Sequence, residues 1–121
     1  MRKLILSVML IGLAAPALAG TYPVNGRWGA GAAPAKGAVD CSKLRVIAFN
    51  GNQRTDSNGG VPAFRNRTVQ RVSATVFRVV DEFTTGQISD AHVIYTLRKV
   101  DDDHLELDMQ PGGTLKLQRC K

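Results

Sequence analysis

A chain of 121 residues with a formal charge of +6 has room for one domain at most. Its 44% hydrophobic content suffices for a core and excludes a disordered chain, while 6% aromatics leave little for a wide aromatic cleft. Two cysteines and two histidines exclude four-cysteine iron–sulfur clusters, zinc ribbons and most histidine-rich metal sites.

Arg2 and Lys3 precede an apolar run from Leu4 to Leu13, and Pro16 and Ala17-Leu18-Ala19 follow. A positive start, an apolar stretch and small residues at −3 and −1 predict a helical signal peptide over residues 1–19, cut after Ala19. The run is too short for a membrane anchor, because crossing ~30 Å of hydrocarbon takes ~20 apolar residues. No later segment reaches that length, and no cysteine at the cut offers a lipid attachment site. The mature chain is then Gly20 to Lys121, with 14 basic and 10 acidic residues once Arg2 and Lys3 are gone, a net charge of +4. The expected location is periplasmic or secreted, and the expected state is a monomer with no membrane span after processing.

Residues 20–43 are rich in Gly, Ala and Pro, which disfavours helix and long strand alike. They read as an extended lead-in with a short strand around Trp28. Cys41 and Cys120 are an even pair in an exported small domain and read as a disulfide between the start of the core and the last turn. The competing readings are a dimerising thiol or a redox pair, but there is no C-x-x-C.

From residue 44 to 121 the apolar pattern has period two, the strand signature. Strands are predicted over 44–50, 63–72, 74–83, 91–100, 104–109 and 114–119. Residues 53–60 are polar and read as a turn. Phe77, Val79, Asp81 and Phe83 share one face, as do Val93, Tyr95 and Leu97, then Leu105, Leu107 and Met109, then Leu115 and Leu117. No mature segment supports a helix. The fold class is all-β: an antiparallel meander of six or seven strands, curled into a small barrel or half-barrel to protect its edges.

Gly26-Arg27-Trp28 resembles the G-x-W start of lipocalin-like barrels. The resemblance implies that Trp28 opens the first strand and plugs one barrel end beneath an arginine of a late strand, Arg119 or Arg98. Lipocalin-like bacterial protease inhibitors also combine export, this mature length, an early G-x-W and a disulfide. The chain also resembles small exported bacterial proteins of unknown function, a likeness that implies no activity.

No nucleophile elbow, S-x-x-K or other catalytic signature occurs, so no catalytic residue, metal ligand or cofactor is assigned. Asp81 and Glu82 are neighbours on a strand and point to opposite faces, which prevents them from sharing a substrate atom. Asp81 reads either as an inward carboxylate or as a strand-end group in water. His92 falls on the face opposite Tyr95. Asp101-Asp102-Asp103 reads as a solvated turn, with weak divalent binding beside His104 as the other reading. Asn66-Arg67-Thr68 matches a glycosylation acceptor and is taken as accidental.

Charge is uneven: Arg54, Arg65, Arg67, Arg71 and Arg78 face only Asp56, whereas residues 101–108 hold five acids. Arg65, Arg67 and Arg71 share one parity, so an unbulged strand presents them as one anion-binding strip. The other reading is an ordinary charged barrel exterior. Scarce aromatics and export argue against nucleic acid as a partner. Two function classes follow. One is an exported interaction module that binds or inhibits an envelope or secreted protein, or contacts an anionic surface. The other is a lipocalin-type carrier of a small ligand. Few large side chains in about seven strands favour a barrel that fills itself, and hence the module.

Overall fold

The computed structural model describes residues 20–61, 63–109 and 112–121, so the signal segment expected over 1–19 lies outside the described residues. Eight strands follow in chain order: β1 (Gly26–Ala30), β2 (Arg45–Asn50), β3 (Gln53–Asp56), β4 (Phe64–Arg71), β5 (Val76–Phe83), β6 (Ala91–Asp101), β7 (His104–Met109) and β8 (Gly113–Arg119). Each pairs antiparallel with its sequence neighbour, and β1 pairs with β8, giving a closed up-and-down barrel. Closure removes the two free edges that a meander would otherwise expose. The described residues contain no helix.

The count exceeds the predicted six or seven because of β3. This strand is only Gln53-Arg54-Thr55-Asp56, and its one buried side chain is an arginine, so no apolar alternation marks it. Gly51, at φ +64°, opens the two-residue turn that joins it to β2. That backbone conformation suits glycine and completes a hairpin of the type II′ kind.

The alternation read from sequence sets the interior. Ile47, Val79, Leu97 and Leu107 are wholly buried, and Phe49, Tyr95, Leu105 and Leu117 nearly so. Tyr22, Trp28 and Ala30 join the same cluster. The lead-in is therefore not separate from the barrel. Its strand β1 closes the sheet through Trp28↔Arg119, Gly29↔Gln118 and Ala30↔Leu117. Residues before β1 cross one mouth: the Tyr22 N–H donates to the Gly51 carbonyl at 3.0 Å, and its ring meets Phe49 edge-on with centroids 4.9 Å apart.

Residues 31–44 form a strap outside the β1–β8 seam. Cys41 is bonded to Cys120, and Val39 makes a parallel bridge to Cys120. Gly29, flanked by inward Trp28 and Ala30, faces outward beneath this strap. A Cβ at Gly29 would meet Cys41 Sγ at 2.7 Å and Leu44 Cδ1 at 2.8 Å. The strap also covers Gln118, whose Nε2 donates to the Ala35 carbonyl at 3.2 Å, which accounts for a buried glutamine on the outer face.

Candidate functional site

The interior is not purely apolar. Arg54 from β3 points inward, and its Nε donates to Asp81 Oδ2 of β5 at 2.8 Å. Tyr95 of β6 donates its hydroxyl to the same oxygen at 2.8 Å, and Asn66 Nδ2 of β4 reaches Asp81 Oδ1 at 3.3 Å. The guanidinium lies 3.9 Å from the Phe64 ring centroid and 5.2 Å from that of Tyr95. Asp81 thus accepts from three side chains, which satisfies a carboxylate removed from water. Of its two sequence readings, the inward one holds. Burial opposes the charge on Arg54, but the Asp81 carboxylate hydrogen-bonded to it outweighs that and holds the guanidinium above its ordinary value. Burial, with Asp81 beside them, pushes both the Tyr22 and Tyr95 phenols up, so both stay protonated. The buried Tyr22 hydroxyl has no hydrogen-bond partner among the described residues. Sequence reasoning counted Arg54 with the exterior charges. Its inward place follows from its register opposite Phe49, itself a core residue.

Trp28 and Arg119 lie together. The indole is 2% exposed, and the Arg119 guanidinium carbon sits 4.8 Å from its ring centroid. Trp28 Nε1 donates to the Asn25 carbonyl at 3.0 Å. Arg119 also donates to Asp103 Oδ1 at 3.1 Å and to the Asp102 carbonyl. The other arginine considered for this place, Arg98, instead faces Glu106 at 3.6 Å.

The three arginines of β4 do not form one strip. A β-bulge between Asn66 and Thr68 shifts the register, so Arg65 lies opposite Glu82 while Arg71 lies opposite Phe77, the side of Val69 and Val79. An inserted residue reverses which parity faces out, and sequence parity alone cannot register it. Arg65 and Arg67 both pair with Glu82, Arg67 at 3.4 Å, and Arg67 Nη1 lies 3.3 Å from His92 Nε2. The Arg65 hydrogen bonds, with Arg67 beside them, hold the Glu82 carboxyl below the usual range. Arg71 Nε donates to the Ser73 carbonyl at 3.2 Å.

His104 is held from both ring nitrogens: Nδ1 lies 2.7 Å from Asp101 Oδ1 and Nε2 lies 2.9 Å from the strap carbonyl of Ala35. The Asp101 hydrogen bond raises the imidazole above its ordinary value. Asp101 also accepts from the Asp103 N–H at 2.8 Å, the local backbone bond of a turn. Among the described residues no group of three or more His, Cys, Asp or Glu is placed to hold a metal ion. Asn66 is 4% exposed, with its amide turned into the Asp81 network rather than to solvent. Among the described residues no helix is long and apolar enough to cross a membrane.

Searches of protein-family models, curated proteins and solved structures return no match to this chain.

Proposed function

We propose that this chain is an exported β-barrel interaction module that works through its outer surface and binds or inhibits an envelope or secreted protein. The observation that carries this reading is the occupied interior. Ile47, Val79, Asp81, Leu97 and Leu107 are 0% exposed, and Arg54, itself buried, reaches inward from β3 to Asp81 of β5. A carrier needs a concave, mostly apolar chamber in that position. Here the barrel centre holds its own ion pair, and Tyr22 covers one mouth. The Cys41–Cys120 bond fits an oxidising compartment, which agrees with cleavage of the N-terminal segment after Ala19. Lipocalin-like kinship belongs to the same reading, supported by Trp28 at the start of β1 beneath Arg119.

Protein purified from the periplasm is expected to begin at Gly20 and to have no titratable thiol by intact mass and thiol assay. A start at Met1 overturns the export reading. Oxidised mature protein carrying a photo-crosslinker on the barrel exterior is expected to capture one envelope or secreted protein. Stoichiometric loading with a fatty acid and no captured protein favours the carrier.

A further inference from the structure

Strand pairing in the closed barrel is incomplete along the β3 side of β4. β4 runs from Phe64 to Arg71, but β3 meets it only at Gln53↔Arg65 and Arg54↔Phe64, with one further bond from the Asn66 N–H to the Asn52 carbonyl. From Thr68 to Arg71 the strand has only β5 beside it among the described residues. Val72 N–H donates to the Val76 carbonyl at 2.9 Å. Antiparallel pairing alternates, so this bond turns Gln70 and Thr68 towards β5 and the N–H and C=O of Val69 and Arg71 away from it. Those groups form an open template, and the exposed Val72 beside them adds an apolar contact.

We propose that this open half of β4 receives an extended acidic segment of a partner protein as an added strand. The inference rests on the surface-acting reading above and names its partner chemistry. Main-chain bonds to Val69 and Arg71 supply the attachment, and alternate side chains supply selectivity, as in other strand-addition complexes. Charge chooses the occupant. Arg71 lies at the end of the open stretch and Arg78 on the facing part of β5, opposite Gln70, whereas Arg65 and Arg67 are already paired with Glu82. A second copy of the chain fits poorly. Self-pairing along Thr68 to Arg71 brings a second Arg71 and a second Arg78 to the same edge, and like charges crowded together are destabilising. An acidic strand replaces that repulsion with attraction.

The test uses the oxidised mature protein, labelled with nitrogen-15, and two capped peptides, one of alternating Glu and Val and one with Lys in place of Glu. The Glu peptide is expected to bind saturably, to slow amide exchange at Val69 and Arg71 about tenfold, and to lose affinity as salt rises. The Lys peptide is expected not to bind. Arg71→Pro removes the outward N–H and should abolish binding. Arg71→Glu, which keeps the N–H, should weaken it about tenfold or more. The Trp28 fluorescence of each variant reports whether it has folded, and Arg71→Glu carries the test if Arg71→Pro does not fold. Equal binding of both peptides, unchanged exchange at Val69 and Arg71, or dimerisation of the free protein through β4 overturns the proposal. Failure here, with apolar ligands still excluded, leaves the surface-acting reading standing, whereas stoichiometric apolar loading removes that reading itself.

Discussion

Arg54 and Asp81 face each other inside the barrel at 2.8 Å, with side chains 2% and 0% exposed. Two charges out of water are weak evidence for net stability, but each makes the other indispensable. Removing one partner strands a buried charge, at a cost of about 3–5 kcal/mol. Arg54→Met and Asp81→Ala are each expected to lose that much in urea unfolding. Replacing both by apolar residues of similar volume should cost less than the sum, with coupling of about 1–3 kcal/mol. A single-variant loss below about 1 kcal/mol contradicts the pairing.

This pair also shows where the sequence is legible and where it is not. Period two identified β5 to β8 and grouped Val79, Tyr95 with Leu97, Leu105 with Leu107, and Leu117 on single strand faces, which the structure turns into one interior. The cysteine count gave Cys41–Cys120, since two cysteines have one intramolecular pairing. β3 escaped because an inward arginine carries no hydrophobic signal, and its carboxylate partner lies on another strand. The three-arginine strip failed because one bulge reverses parity without any mark in composition. The strap over Gly29 and Gln118 lay equally out of reach, since a glycine under a disulfide reads in sequence like any loop glycine.

Gly29 is expected to be required by the strap. Gly29→Ala places a methyl 2.7 Å from Cys41 Sγ, so either the disulfide or β1 must shift. Overpacking of this kind costs about 1–3 kcal/mol. The penalty should shrink when Cys41 and Cys120 are both replaced by Ser, and a double-mutant cycle in denaturant reads the difference. An unchanged penalty without the disulfide shows that the clash lies elsewhere. The serine pair should itself lose roughly 4–5 kcal/mol under the chain-entropy model, because the bond spans 79 residues.

Trp28→Ala removes a ring 2% exposed at the start of β1 and is expected to cost about 3–5 kcal/mol. Arg119→Gln keeps the sheet pairing but loses the contact over the indole, at about 0.5–2 kcal/mol. Thermal and urea unfolding measure both. A Trp28→Ala loss under about 1 kcal/mol means that the ring does not organise this end of the barrel.

His104 makes the strap sensitive to pH. Both ring nitrogens face acceptors, Asp101 Oδ1 and the Ala35 carbonyl, with Asp103 nearby. Only the imidazolium donates to both, since neutral histidine has a single N–H. The folded-state value is raised above the ordinary 6.5, so the clasp is fully present below pH 6.5 and is lost as pH rises through the raised value. Amide exchange around Ala35 should quicken across that window, and Asp101→Asn should move the His104 titration down. A His104 titration at or below 6.5 in the native protein contradicts the two-acceptor geometry.

The occupied interior is tested most directly by native mass spectrometry of the oxidised protein purified from its own compartment, followed by titration with a fatty acid. The expected spectrum is the bare mature chain with one disulfide, and the expected titration shows no saturable one-to-one complex. A co-purifying apolar ligand at stoichiometric occupancy, or one-to-one fatty-acid binding that quenches Trp28, means that the Arg54–Asp81 interior opens to cargo and that the barrel is a carrier.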